Sequence, residues 1–220
     1  MIPSAIELTY NDKVRSHIIY YVDKIGDRVG VMLGLSKYYF PIFEDVLDSE
    51  QMPIELKYLP VIESALNPRA FSRAGASGLW QFMFKTAKSY GLKANSYIDE
   101  RFDPLKSTHA AMRYLRDLHK FFHSWDLAIA AYNCGPGNVK KAIIRSGGKT
   151  DFWQIYRYLP RETRGYVPAF IAANYIMTYY CHHNICPMNT EIIPPTDTLQ
   201  ISRELHLQQV ADVCDITIDE

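Results

Sequence analysis

One glutamate stands where a proton donor for sugar chemistry is expected. Glu63-Ser64 ends a short apolar run, and a loop rich in glycine and serine follows it and closes with Gly78-Leu79-Trp80-Gln81. Further along, a Tyr132-Asn133 pair precedes a Gly-Pro-Gly turn. Cleaving a glycosidic bond requires an acid aimed at one oxygen, with amide and aromatic groups that hold the sugar rings. These residues together predict a carbohydrate-cleaving groove with Glu63 as its general acid.

The position of Glu63 bears on its pKa. The residue falls in the last turn of its predicted helix, where the negative end of the helix dipole disfavours another negative charge. Burial against neighbouring apolar side chains acts in the same direction. We therefore expect a raised pKa for Glu63 and a carboxyl that is still protonated near neutral pH.

The residues around Glu63 supply groups that could hold a sugar. Small side chains in the loop 71–78 let a bulky ligand reach the backbone. Trp80 is either a stacking face or a core residue, and core packing is favoured. Tyr132 could hydrogen-bond the catalytic carboxyl or the bridging oxygen. The predicted substrate contacts are Ser64, Ser72, Gly78, Trp80, Gln81, Tyr132, Asn133 and Tyr166.

Apolar residues recur at three-to-four spacing along most of the chain, which is typical of amphipathic helices. Two helices are expected between Asn11 and Asp48, with a break near Gly34 and Ser36. Another begins at Pro53 and is kinked by Pro60. Further helices are expected at Met83–Tyr90, from Pro104 onward, and at Trp125–Asn133, Asn138–Ile144, Asp151–Tyr156 and Glu162–Tyr180. No alternating strand pattern precedes residue 190, so the fold class is all-α up to there.

The composition argues against several classes of protein. Net charge is zero, so no polybasic surface indicates nucleic acid. No run approaches the roughly 18 apolar residues of a membrane span. The four cysteines allow three pairings. Cys181-His182-His183-Asn184-Ile185-Cys186 lacks a second ligand pair at zinc-finger spacing, so a helix end with buried thiols is favoured over zinc. We expect no metal and no cofactor.

Four motifs follow one another in the order and with the gaps of a known family. They are Glu63-Ser64, Gly78-Leu79-Trp80-Gln81, Ala131-Tyr132-Asn133 and Glu162-Thr163-Arg164 with Tyr166-Val167. Over residues 35–182 the chain resembles the family 1 lytic transglycosylases, and within them the membrane-bound lytic murein transglycosylase D branch. Trp80 replaces a methionine common in other branches, and Cys134 stands where alanine is frequent.

The resemblance implies a goose-lysozyme-like (SLT) helical domain and a reaction. Glu63 would protonate the oxygen between N-acetylmuramic acid and N-acetylglucosamine, and the muramic C6 hydroxyl would close a 1,6-anhydro ring without water. Two alternatives stay open. A lysozyme-type muramidase would need a second carboxylate, and we expect none within the motifs. Asp103 and Asp126 are predicted to be helix-capping or first-turn acids. A catalytically silent peptidoglycan-binding module is disfavoured by the intact Glu63 and Tyr132-Asn133.

The resemblance also implies an organisation and a location. We expect N-terminal helices over 1–50 that pack on the catalytic domain, an SLT catalytic domain over 51–186, and a linker with an incomplete LysM-like segment over 187–220. In that segment, residues 209–213 would form the first helix. The expected partner is peptidoglycan, with no nucleic acid, and the expected state is a monomer. The expected location is the periplasm or cell envelope of a bacterium, with outer-membrane attachment through a lipid anchor that this chain lacks.

Overall fold

The computed structural model describes residues 4–190 and 206–214, and the regular secondary structure in these ranges is helical. The α-helices are α1 Asp12–Asp23, α2 Gly26–Ser49, α3 Leu59–Ser64, α4 Phe84–Ser89, α5 Pro104–Phe122, α6 Trp125–Cys134, α7 Pro136–Arg145, α8 Phe152–Ile155, α9 Arg161–Tyr179 and α10 Leu207–Cys214. Short 3-10 segments lie at Ile54–Tyr58, Glu100–Phe102, Tyr156–Tyr158 and Tyr180–His183. Within the described ranges there are isolated β-bridges but no strand. The all-α prediction is confirmed.

The first two helices are divided at a different point from the predicted one. The side chain of Asn11 caps α1 by accepting hydrogen bonds from the amides of Lys13 and Val14. The chain breaks at Lys24 and Ile25, and α2 then runs without interruption through Gly34. The predicted break near Gly34 and Ser36 was therefore wrong.

Gly34 has a tertiary role that explains its position inside a helix. A Cβ atom there would lie 2.1 Å from the carbonyl oxygen of Met188, and one at Gly30 would lie 2.8 Å from that of Cys186. The amide of Met188 donates a hydrogen bond of 2.9 Å to the carbonyl of Gly30. We call residues 185–190 the strap. Because Gly30 and Gly34 have no side chains, the strap backbone can lie directly on α2.

The predicted helix from Pro53 changes type instead of kinking. A 3-10 segment at Ile54–Tyr58 leads into α3, and Pro60 occupies the first turn of α3. Proline is tolerated there because the amide it lacks would have no partner within the helix. The other predicted helices are confirmed with small shifts at their ends. Asp103 caps α5 and Ser124 caps α6 with their side-chain oxygens.

Helix α6 lies at the centre of the core. Residues 127–131 are completely buried, and the helix packs against α5, α7 and α9. Helix α1 lies along α9, so the N-terminal helices are part of the same packed body. Because α6 is buried on all sides, it is a rigid support, and its C-terminal end carries Tyr132 and Asn133.

A helix end with buried thiols was expected near Cys181 and Cys186, and only the helix end is confirmed. The segment Tyr180–His183 does terminate the helix, and the amides of Asn184 and Ile185 donate to the carbonyls of Cys181 and Tyr180. However, Cys181 and Cys186 are exposed, not buried. Their thiols, like that of Cys134, form no disulfide.

The structure describes only part of the C-terminal segment. Helix α10 includes residues 209–213, where the first helix of a LysM-like segment is expected. A short strand is also expected from Thr198 onward, and it lies outside the described residues. The LysM-like identity therefore stays a prediction, as do the boundaries at 50 and 186. Within the described ranges, no helix is long and apolar enough to cross a bilayer.

The contact between the strap and α2 predicts a difference between two glycine substitutions. Gly34→Ala should lower the free energy of unfolding by about 1–3 kcal/mol, because the new Cβ meets a backbone oxygen that cannot rotate away. Gly137→Ala in α7 meets no atom within 4 Å, so it should be neutral or stabilise by up to about 1 kcal/mol. Urea unfolding of both variants measures the difference. Equal stability of the two variants would contradict the packing role of Gly34.

Candidate active site

Glu63 lies in the last turn of α3, at the edge of an open cavity of about 440 Å3. Part of its lining comes from the end of α3 and the loop that follows it, and another part comes from the N-terminal helices. The lining residues that matter below are Arg28, Glu63, Ser64, Phe71, Ser72 and Gln81. Among the described residues, Glu63 is the one carboxylate that lines this cavity.

The Glu63 carboxyl has an unusual environment. Protein atoms surround it, and this burial raises its pKa from 4.5 to about 7. The hydroxyl of Tyr166 donates a short hydrogen bond to its Oε1, which acts in the opposite direction by favouring the ionised form. The negative charge of Glu162 acts in the same direction as burial and raises the pKa of Glu63. The expected raised pKa of Glu63 is confirmed, so the group can both donate and accept a proton near neutral pH.

Two tyrosines converge on this carboxyl from different helices. Tyr166 comes from the first half of α9, and Tyr132 from the end of α6. Burial and the charge of Glu63 raise the pKa of both phenols well above 10, so both stay protonated as donors. Tyr132 donates to the carbonyl of Trp80 at 2.8 Å. Tyr166, and not Tyr132, therefore hydrogen-bonds the carboxyl.

The loop after Glu63 is held in a strained conformation. Ala65 and Leu66, which directly follow α3, have φ of 52° and 60°, and Gln81 at the end of the loop has φ of 47°. Residues with a Cβ rarely adopt this left-handed region, and each instance costs about 1 kcal/mol or more. The hydroxyl of Ser64 lies 3.0 Å from the carbonyl of Leu79 and so ties both ends of the loop together.

Several predicted contact residues hold the loop as well as line the cavity. The Gln81 side-chain amide donates to the carbonyls of Gly78 at 2.9 Å and Ala70 at 3.3 Å. The Ser72 hydroxyl accepts from the amide of Ala76. Within the described chain, Oε1 of Gln81 has no partner, which leaves that oxygen as an acceptor for a ligand. Ser64, Ser72 and Gln81 do line the cavity.

Two of the predicted substrate contacts are wrong. Trp80 is completely buried, donates from its indole nitrogen to the hydroxyl of Thr108 at 2.8 Å and packs edge-on against Phe43. It is a core residue, as the favoured interpretation had it. Gly78 is also buried, and a Cβ there would lie 1.9 Å from the carbonyl oxygen of Arg101. Neither residue has surface available to a sugar, because both join the loop to the core.

Asn133 and Tyr132 do not reach the lining of this cavity. The Oδ1 of Asn133 accepts a hydrogen bond of 2.8 Å from the hydroxyl of Thr163 and thereby joins the end of α6 to the start of α9. This bond fixes the spacing of the two helices that carry the tyrosines. Direct contact of Tyr132 and Asn133 with a substrate stays a prediction.

Three residues near the site were missed by the sequence analysis. Glu162 is a second carboxylate inside the motifs, contrary to expectation, although it is exposed and lies outside the cavity lining. Phe71 is 68% exposed and lies on the rim. Arg28, on α2, also lines the cavity. The sequence analysis included Glu162 in a motif and Phe71 in a loop but assigned neither a role. No sequence pattern indicated that Arg28 lies near Glu63.

The other candidate carboxylates lie elsewhere. Asp103 caps α5 by accepting from the amide of Lys106 at 2.9 Å, as expected. Burial, assisted by the charges of Glu7 and Asp151, raises the pKa of Asp126 to about 7. However, Asp126 lies in the first turn of α6, roughly 9 Å along the helix from Tyr132. It is a half-buried first-turn acid outside the cavity lining.

Comparisons with known proteins agree on one family. Residues 40–155 match the family model described as the transglycosylase SLT domain. The chain is 34% identical to the membrane-bound lytic murein transglycosylase D of Escherichia coli K12 over 214 residues, which are 96% of this chain and 47% of that protein. It is also 34% identical to the soluble lytic murein transglycosylase of the same strain over 54% of this chain and 19% of that protein.

A solved structure extends the agreement to the fold. The 70 kDa soluble lytic transglycosylase of Escherichia coli superposes with a TM-score of 0.55 at 29% identity, over 65% of this chain and 24% of that one. The chain spans about half the length or less of the curated relatives it matches. Because the family model covers more than half of its residues, the chain belongs to the transglycosylase SLT domain family.

Proposed function

We propose that the protein is a peptidoglycan lytic transglycosylase that cleaves the β-1,4 bond between N-acetylmuramic acid and N-acetylglucosamine without water. The observation that carries the proposal is the Glu63 carboxyl, whose pKa is raised to about 7 beside an open cavity. A general acid works best when its pKa lies near the working pH. The names of the relatives, which are lytic murein transglycosylases, support the same substrate and reaction.

The reaction proceeds in two proton transfers through one residue. Protonated Glu63 gives its proton to the bridging oxygen, the bond from that oxygen to muramic C1 breaks, and N-acetylglucosamine leaves with a free hydroxyl. The resulting carboxylate takes the proton of the muramic C6 hydroxyl as that oxygen bonds to C1. The product ends in 1,6-anhydromuramic acid, Glu63 is protonated again, and no water is consumed. Most glycosidases use two carboxyls, whereas here the substrate supplies its own nucleophile.

The neighbouring groups have separate roles in this scheme. Tyr166 orients the carboxyl and stabilises its ionised form between the two transfers. The free Oε1 of Gln81 and the rim around Ser72 would accept and position sugar hydroxyls. Ser64 holds the loop against α3. Tyr132 and Asn133 would complete the sugar contacts.

A lysozyme-type hydrolase is the alternative with an observation in its favour. The charge of Glu162 affects the pKa of Glu63, so a second carboxylate is near. Glu162 does not line the cavity, however, and an inverting or retaining pair must face the same sugar from both sides. This geometry favours the transglycosylase. A silent peptidoglycan-binding module would not need a carboxyl whose pKa is raised to about 7.

The proposal extends to the setting in which the protein works. Its substrate would place it in the bacterial cell envelope, with peptidoglycan strands as the partner and no cofactor. The segment over 187–220 would be the start of a LysM-like glycan-binding module. Outer-membrane attachment through a lipid anchor and a monomeric state belong to the same proposal. The division at residues 50 and 186 also belongs to it.

Product analysis tests the reaction directly. The 220-residue protein and its Glu63→Gln variant are incubated with purified peptidoglycan, and the released muropeptides are weighed by mass spectrometry. We expect the unmodified protein to give 1,6-anhydromuramic ends, which are one water lighter than reducing ends, and Glu63→Gln to lower the rate at least 1,000-fold because no acid remains. Reducing-end products would establish the hydrolase, and binding without products would establish the silent module.

The pH profile tests the environment of Glu63 with two substitutions that act in opposite directions. Activity should fall as the pH rises through about 7, because the proton donor is then lost. Glu162→Gln removes a charge that raises the pKa of Glu63, so the alkaline limb should move to lower pH. Tyr166→Phe removes a donor to the ionised form, so this limb should move to higher pH. Shifts in the same direction would contradict the assignment.

Stability gives a check that needs no substrate. The pKa of Glu63 is raised on folding, so between pH 4.5 and about 7 the unfolded chain releases a proton that the folded chain keeps. The free energy of unfolding must therefore fall as the pH rises through this window. Glu63→Gln should be more stable than the unmodified protein at pH 8, on the order of 1–3 kcal/mol, and the gain should vanish at pH 4.

Thermal unfolding at the two pH values measures this difference. Asp45→Asn is the matched control, because Asp45 is an exposed acid on α2 and carries the same loss of charge. The control should show no gain that depends on pH. A gain of equal size in both variants would mean that net charge, and not the burial of Glu63, controls the stability.

A further inference from the structure

The cavity that Glu63 lines also contains a cation that the proposed chemistry does not use. Arg28 lies on α2, is exposed and lines the cavity together with Glu63. Within the described chain it forms no ion pair, although five other ion pairs are present. Its guanidinium therefore keeps its hydrogen-bond donors available to a molecule that enters the cavity.

The surroundings of Arg28 indicate a ligand role and not an adjustment of Glu63. The pKa of Glu63 is set by burial, Tyr166 and Glu162, and Arg28 is not among its causes. The other residues of the N-terminal helices and their junction that line the cavity are Tyr21, Ile25 and Met32, and none of them carries a charge. A single fork of donors among otherwise uncharged side chains suits one anion.

This part of the lining does not come from the part of the chain that matches the family model. The match begins at residue 40, whereas Ile25 directly precedes α2, and Arg28 and Met32 lie in its first two turns. Their position is fixed by packing, since α2 contacts α1 on one side and the strap lies on Gly30 and Gly34. The chain thus adds one arginine on a packed helix to the cavity lining, from outside the matched residues.

We propose that Arg28 is a specificity residue that binds a carboxylate of the glycan substrate, and this rests on the proposed function. Peptidoglycan offers that chemistry from two sources. One is the set of free carboxylates on the peptide stem, and the other is the lactyl carboxylate of muramic acid, which is free only where the stem has been removed. Both are attached to the muramic residue whose C1 is attacked, so either would lie near the cavity that Glu63 and Arg28 both line.

Binding to uncleaved strands tests the proposal without requiring turnover. The Glu63→Gln protein, with and without Arg28→Gln, is titrated calorimetrically with three soluble glycan preparations. One bears stems with free carboxylates, one bears stems whose carboxylates have been amidated, and one has had its stems removed by an amidase. Arg15→Gln, an exposed arginine on α1 away from the cavity, is the matched control.

We expect Arg28→Gln to weaken binding about tenfold on a preparation with a free carboxylate, with no more than a twofold effect on the amidated strands. Loss confined to stem-bearing strands identifies the stem carboxylates, and loss confined to stem-free strands identifies the lactyl carboxylate. Arg28→Lys should recover part of the affinity. Unchanged binding to all three preparations, equal loss on all three, or an equal loss in Arg15→Gln would overturn the proposal.

Cleavage assays separate this proposal from the proposed function. In the protein with Glu63 intact, Arg28→Gln should raise KM on the sensitive preparation while kcat and the pH profile stay unchanged. If the unmodified protein gives no anhydro ends but the carboxylate-dependent binding is found, the proposed reaction fails and the role of Arg28 stands. If anhydro ends form and the binding does not depend on Arg28, the reaction stands and the role of Arg28 fails.

Discussion

The structure depends on keeping one carboxyl both poorly hydrated and next to open solvent. Burial alone would make Glu63 a weak acid that does not give up its proton, and exposure would ionise it at neutral pH. The hydrogen bond from Tyr166 lowers the pKa while burial raises it, and the balance lies at about 7. Because the donor and the carboxyl are 103 residues apart in sequence, the fold must fix α9 against α3 before this balance exists.

The rest of the core serves that requirement. The buried helix α6 lies against α9, and the bond between Asn133 and Thr163 joins their ends beside the tyrosines. On the other side, the left-handed residues Ala65 and Leu66 reverse the chain directly after Glu63. Left-handed alanine and leucine cost free energy, and the buried loop contacts offset this cost. The strain lets Glu63 end its helix at the cavity edge without being covered by the following residues.

The sequence predicted the raised pKa of Glu63 better than it predicted which neighbouring residues line the cavity and which pack in the core. The raised pKa of Glu63 could be predicted from its position at the end of a helix among apolar residues, and local signals sufficed for most helices. Trp80 and Gly78 were assigned to the substrate because they adjoin the groove in sequence, yet contacts with Thr108 and Arg101 bury them. Gly34 looked like a helix break because its partner, Met188, is distant in sequence. Such errors arise where a tertiary contact, invisible in the local pattern, decides the role of a residue.

Helix α2 both lines the cavity and packs against the strap. Ile25, Arg28 and Met32 recur at spacings of three and four and face the cavity, whereas Gly30 and Gly34 on the adjoining face carry the strap. The part of the cavity lining that α2 supplies is therefore held by the packing of the strap against the same helix. A loop could adjust to its ligand, but this part of the lining is a packed helix, so its position is set by core packing. Substrate selection at this part of the lining must then come from the side chains that α2 presents, and Arg28 is the charged one among them.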